Sequence, residues 1–148
     1  MTYTANPTTQ QALALFSGYD VDTQLALLWF GYLDIKDELN PAPPDAVETM
    51  GNTLYDQVKT LSSPEEQLQA QRDMLQGADN EIGRAYQAFD SSARMESWLL
   101  IARGMEKGEI VQVPNDYQLP EHTQEFTNMI KQIDFQERIN FMRSAVGP

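Results

Sequence analysis

The chain has 148 residues, with 22 acidic against 10 basic side chains for a net charge of −12, one histidine and no cysteine. That length suits a single domain, residues 1–148, able to bury roughly two thirds of its unfolded surface. The missing cysteines exclude disulfides, thiolate metal sites and cysteine nucleophiles, and the charge repels nucleic acid and anionic membrane surfaces at long range, so nucleic acid is not an expected partner.

The N-terminus MTYTANPTTQQ has neither the basic patch nor the apolar run of a signal peptide. Asn6 and Pro7 read as an N-cap and first helical position for a helix through Phe16, closed near Gly18. Asp20 or Asp22 caps a longer helix to about Leu39. Its apolar run Leu25 to Leu33 is much shorter than the roughly 20 residues of a bilayer crossing, so a soluble, unexported protein without a transmembrane segment is expected. The stretch PAPPD, Pro41 to Asp45, is a rigid connection.

From Ala46 to Leu61 the positions Val47, Met50, Leu54, Val58 and Leu61 keep the three-and-four spacing of one helical face. Ser63, Pro64 and Glu66 form a capping box opening a helix that stops near Gly77. Asn80 caps a short helix with Ile82, Tyr86 and Phe89, and a longer one runs from about Ser91 to Lys107 with Gly108 as its stop. Ile110 to Val113 is the one β-like run, ended by Pro114. After the loop VPNDYQLP comes a helix with Phe126, Met129, Ile130 and Ile133. The last helix is boxed by Asp134 and Glu137 and ends near Gly147. The total is about eight helices, an all-α fold with no repeat or domain linker.

No nucleophile elbow, phosphate loop, zinc helix motif or dinucleotide turn is present, so the chain does not read as an enzyme. His122 lies among polar residues and reads as solvated. Asp20 and Asp22 resemble the opening of a calcium loop, but Leu25 stands where that loop needs glycine, so no metal site is expected.

Two stripes remain. In the second helix Leu25, Leu28, Trp29 and Tyr32 fall at i, i+3, i+4 and i+7, with Gly31 beside them to admit a close neighbour. The helix from Ser91 carries Met95, Trp98, Leu99, Ala102 and Met105, while Arg94, Glu96, Arg103, Glu106 and Lys107 fill much of the remainder. Spacing alone favours core, since aromatics and methionines carry large apolar area. The alternative is a flat slot between two facing stripes, with rings stacked on a conjugated ligand.

QLALLWFGYLDI, then W-x6-M-E-K-G from Trp98 to Gly108, P-x2-YQL from Pro114 to Leu119 and MRSAVG near the C-terminus together resemble the N-terminal helical domain of the orange carotenoid protein family of cyanobacteria. The matched order runs from about Asp20 to Val146. The chain ends where two-domain members continue into a linker and an α/β domain, so a stand-alone helical carotenoid protein is expected.

The resemblance implies two interleaved four-helix bundles threaded by a keto-carotenoid (canthaxanthin, echinenone or 3'-hydroxyechinenone). Trp29, Tyr32 and Trp98 would bracket one ring, and Leu25, Leu28, Met95, Ala102 and Met105 would line the slot. Val113 and Tyr117 would lie near the polyene and Ile139 would close the far side. Arg143 matches a basic residue that contacts a partner. Gln71 stands where the family often has methionine, with Met74 one turn later. The implied function is photoprotection without catalysis, as a singlet-oxygen quencher and carotenoid carrier that can exchange pigment with a homologue of the family's C-terminal domain. Docking on the phycobilisome, the light-harvesting antenna, is the second implied role, and the charge of −12 opposes it because that antenna is also acidic. The implied location is the cytoplasm, with the thylakoid surface as a place of association. A rival of another class is a helical interaction module without pigment, with Trp29 and Trp98 as ordinary core. Apolar contact alone suffices for affinity: about 40 heavy atoms at roughly 0.3 kcal/mol each reach about −12 kcal/mol, or nanomolar binding.

Overall fold

The structure is a computed structural model that describes residues 6–38, 50–114 and 117–146. Among the described residues the chain folds into eight α-helices: α1 Pro7–Gly18, α2 Val21–Ile35, α3 Met50–Lys59, α4 Pro64–Gln76, α5 Glu81–Gln87, α6 Ser91–Lys107, α7 Gln124–Gln132 and α8 Phe135–Ala145. Two single 3-10 turns, Lys36–Glu38 and Glu121–Thr123, extend α2 and lead into α7. The expected end of α2 at Leu39, the PAPPD connection and the first residues of the next helix lie outside the described residues. Ile110 to Val113 pairs with no strand among the described residues. Its amides instead meet helix ends: Ile110 N–H donates to the Gly104 carbonyl and Val111 N–H to the Gln67 side chain.

Local chemistry sets most boundaries. The side-chain oxygens of Asn6, Asp20, Ser63, Asn80, Asp90 and Asp134 each accept the N–H three residues on, satisfying donors the first helical turn leaves open. Gly77 and Gly108 end α4 and α6 at φ 67 and 80°, a left-handed conformation that favours glycine. The box at Asp134 is only half formed. Glu137 does not turn back to the cap; it accepts from the buried Thr9 hydroxyl at 2.8 Å and from the Asn140 amide at 2.8 Å, tying α8 to α1.

Packing follows the apolar faces. The helices form two interleaved four-helix bundles: α1 packs on α7 and α8, α3 to α6 pack on one another, α2 lies against α4 and α6, and α6 meets α8. Phe16, Phe126 and Phe141 meet at 5.3–6.1 Å between ring centroids in the first bundle. Leu54, Val58, Met74, Tyr86 and Ile101 fill the second. Gly31 is not the point of closest approach, since a Cβ there would meet the Met142 sulfur at an ordinary 3.8 Å. That role falls to Gly104 on α6, where a Cβ would come within 2.5 Å of the Tyr55 hydroxyl and 2.7 Å of Ile110.

Candidate functional site

The two stripes face each other where the bundles interleave. They form an apolar slot of about 70 Å³ walled by Leu25, Leu28, Trp29, Tyr32 and Ile35 of α2 and by Met95, Trp98, Leu99, Ile101, Ala102 and Met105 of α6. Gln71 of α4 closes one wall, and Met142 of α8 with Val146 just beyond it closes another. Eight of the residues expected to hold the ligand therefore share one space: Leu25, Leu28, Trp29, Tyr32, Met95, Trp98, Ala102 and Met105.

Val113 and Tyr117 lie next door. They line a more open groove of about 410 Å³, in which Tyr117 stacks on Phe30 at 6.4 Å and 23°. Trp29 and Met105 are walls of both spaces. Ile35 and Met142 are shared with a third cavity of about 290 Å³, lined further by Leu27, Gly31, Phe126 and Phe141, and Phe30 walls both this cavity and the groove. The slot thus adjoins two larger spaces.

Ile139 does not line the slot. It is half-buried on α8, whose register brings Met142 and Val146, four residues apart, to the cavity instead. Arg143, also half-buried, follows Met142 and is outside the lining of all three spaces. Ile35, Ile101, Met142 and Val146 were not expected in the site. Ile35 and Ile101 extend the two stripes by three residues each, from Tyr32 and Trp98, and that periodicity is their signal.

Polar contacts hold the aromatic plates. Trp98, 7% exposed, donates its indole N–H to the Tyr86 hydroxyl at 2.9 Å, and that hydroxyl donates to the Val146 carbonyl. The Tyr86 ring meets Trp98 edge-on, and the Arg94 guanidinium lies over it at 5.2 Å. Arg94 is not a solvated residue of the helix face: it is 7% exposed and donates to the Tyr86 and Gln87 carbonyls. Burial pushes the Tyr86 hydroxyl well above its ordinary range, so it stays a donor at all physiological pH.

The other plate has a separate clasp. Trp29 stacks on Tyr32 at 5.8 Å and 27°, the Tyr32 hydroxyl donates to the Glu106 carboxylate, and the Lys36 ammonium pairs with Glu106 at 3.0 Å. Burial, then the bond to Glu106, raise the Tyr32 pKa to about 12. The Tyr32 hydrogen bond, then that from Lys36, hold the Glu106 carboxyl below its ordinary value. A group whose folded pKa is depressed contributes stability above its unfolded value and loses it as pH falls through the folded one. The clasp is therefore expected to contribute fully above the ordinary carboxylate range and to be lost progressively as pH falls below it. Denaturation curves of the wild type and Glu106→Gln should differ at neutral pH and converge in acid; a gap that widens in acid would contradict this.

Among the described residues no cluster of His, Asp and Glu could hold a metal ion, and no helix is long and apolar enough to cross a membrane. The polar groups of Tyr32 and Trp98 are engaged by Glu106 and Tyr86, which are not part of the lining, so apart from the Gln71 amide the walls are apolar. That lining fits a flat, conjugated, largely hydrocarbon ligand and offers no acid or base for bond chemistry.

Two aromatic stripes closing on one narrow apolar space define a helical domain with an internal apolar slot. The family described as "Orange carotenoid protein, N-terminal" matches residues 2–148, and the chain belongs to it. It is 28% identical over 136 residues to an orange carotenoid-binding domain-containing protein of Nostoc sp. PCC 7120, covering 91% of this chain and 79% of that one. With the orange carotenoid-binding protein of Synechocystis the identity is 27% over 90% of this chain, which spans only 42% of that longer relative. Among solved structures, the Red Carotenoid Protein of Anabaena (Nostoc) sp. PCC 7120 binding canthaxanthin superposes with a TM-score of 0.81 at 34% identity, covering 96% of this chain and 97% of that one. The Orange Carotenoid Protein of the same organism binding canthaxanthin gives 0.84 at 26% identity over 93% of this chain and 45% of its own. The family is carotenoid-binding, not enzymatic.

Proposed function

We propose that this chain holds a keto-carotenoid in the slot between α2 and α6 and acts in photoprotection as a singlet-oxygen quencher and pigment carrier. The observation that carries this reading is the convergence of both tryptophans, from stripes about 70 residues apart in sequence, on one apolar space. Canthaxanthin bound by the Red Carotenoid Protein, at 34% identity over nearly the whole chain, supports it.

In this reading Trp29, Tyr32 and Trp98 bracket a terminal ring, Leu25, Leu28, Met95, Ala102 and Met105 exclude water around it, and Val113 and Tyr117 flank the polyene in the neighbouring groove. Ile35, Met142 and Val146 replace Ile139 as the far wall. At about 70 Å³ the slot is narrow against the several hundred Å³ typical of ligand sites, so uptake requires side chains to move. Met95, Met105 and Met142 suit that, being unbranched and adaptable. A conjugated keto-carotenoid supplies the low-lying state that takes up the energy of singlet oxygen and releases it as heat. The two larger spaces that adjoin the slot suit a ligand longer than the slot itself, one that could pass to a partner such as a homologue of the family's C-terminal domain.

Production in cells making canthaxanthin or echinenone tests the reading. The expected product is coloured, with one carotenoid per chain and a band red-shifted from the free pigment, and it shortens the lifetime of photosensitised singlet oxygen. A colourless, well-folded product would return both tryptophans to the core. A coloured product that leaves singlet oxygen untouched would sink the quenching role alone.

A further inference from the structure

We infer that Gln71 is a polar anchor for an oxygen on the terminal ring of the ligand, and that it makes the slot selective for ring-oxygenated over hydrocarbon carotenoids. This rests on the carotenoid reading of the slot and deepens it.

Three side chains in the lining can form strong hydrogen bonds, Tyr32, Gln71 and Trp98, and two are committed elsewhere. The Tyr32 hydroxyl donates to Glu106 and the Trp98 indole to Tyr86. Gln71 is 5% exposed, yet its amide nitrogen makes one contact, to the Gln67 carbonyl at 3.5 Å, beyond the ordinary range of such bonds. Its side-chain oxygen accepts nothing among the described residues.

Gln67, one turn earlier on the same helix, shows what a satisfied glutamine looks like here. Its nitrogen donates to the Lys59 and Glu109 carbonyls at 3.4 and 3.2 Å, and its oxygen accepts the Val111 N–H at 2.8 Å. That glutamine latches α4 to the segment after α6. Gln71 makes only its one long bond within its own helix and latches no other segment, and a buried amide so poorly partnered is costly unless something in the site completes it. A ring carbonyl would accept from its nitrogen, and a ring hydroxyl could donate to its oxygen.

The consequence is selectivity. A buried amide rejects an analogue lacking the matching oxygen, because that analogue leaves it unpaired. One ordinary hydrogen bond corresponds to about 2- to 12-fold in affinity.

The test titrates the pigment-free wild type, Gln71→Leu and Gln71→Met from detergent micelles with canthaxanthin, which has a ketone on each ring, and with β-carotene, which has none. The affinity ratio between the two pigments, compared across proteins, cancels their different solubilities. That ratio is expected to fall by about 2- to 12-fold in the leucine variant, and resonance Raman spectra of bound canthaxanthin should show one carbonyl stretch lowered in the wild type and restored in the variant. Gln71→Met, close to glutamine in volume, gives the same comparison where leucine disturbs folding. An unchanged ratio with an unshifted carbonyl stretch would overturn the role of Gln71 while leaving the slot intact. Failure of the folded wild type to take up either pigment would overturn the carotenoid reading, and this inference with it.

Discussion

Trp98→Ala is expected to lower the unfolding free energy by about 3–5 kcal/mol. The indole is 7% exposed and packs between Tyr86 and the slot, so its removal enlarges an existing cavity that neighbouring helices cannot close without breaking other contacts. The lost hydrogen bond is the smaller part. Tyr86 keeps its bond to the Val146 carbonyl and the Arg94 guanidinium keeps its place over the ring, so the polar cost is about 1 kcal/mol. Trp98→Phe isolates that part, because it retains much of the apolar plate while removing the indole N–H.

The magnitude bears on how a colour test is read. Domains of this size have a total stability of roughly 5–15 kcal/mol, so a loss of 3–5 leaves a marginal fold. A colourless Trp98→Ala protein would not by itself show that Trp98 touches pigment. Urea denaturation of both variants separates the effects, with the alanine midpoint far below wild type and the phenylalanine midpoint only slightly so. An alanine variant within about 1 kcal/mol of wild type would mean that the site collapses freely and that Trp98 supports little of the core.

That Trp98 is tied to Tyr86 could not be seen in the sequence, although its position on a stripe could. Helix ends were legible because their causes are local: Asn6, Asp20, Ser63, Asn80 and Asp134 each cap an N–H three residues away, and Gly77 and Gly108 stop their helices by backbone conformation. The stripes were legible because three-and-four spacing survives any packing arrangement. Pairings between distant segments were not. Glu137 fits a capping box by spacing, yet Thr9, 128 residues away, takes its carboxylate. Arg94 looks like one charge on a solvated face until α5 packs over it and supplies two carbonyls. On α8, Ile139 and Met142 are both apolar and three residues apart, and only the docking of that helix against α6 decides that Met142 and Val146 reach the slot. The identity of Gln71 was visible, but its missing partners became visible only beside Gln67, whose own bonds run to residues more than 40 positions away.

Trp29 separates binding from folding more cleanly. It is partly buried, walls both the slot and the groove beside it, stacks on Tyr32 and packs against the edge of the core. Tyr32 keeps its own anchor through Glu106 and Lys36 when the indole is removed. Trp29→Ala is therefore expected to cost less in stability than Trp98→Ala, since a partly exposed side chain forfeits only part of its burial energy. Its effect on pigment should be larger. A ring clamped between two spaces occupies the position where binding energy concentrates, and truncation of such an aromatic anchor costs at least about 2 kcal/mol, roughly 30-fold in affinity. Titrating the pigment-free variant with canthaxanthin should show that loss together with a blue-shifted band, because the ring is no longer held flat by the indole face. A Trp29→Ala protein that binds canthaxanthin with wild-type affinity and spectrum would place the ring away from α2, and with it the assignment of Leu25, Leu28 and Tyr32 to the site would fail.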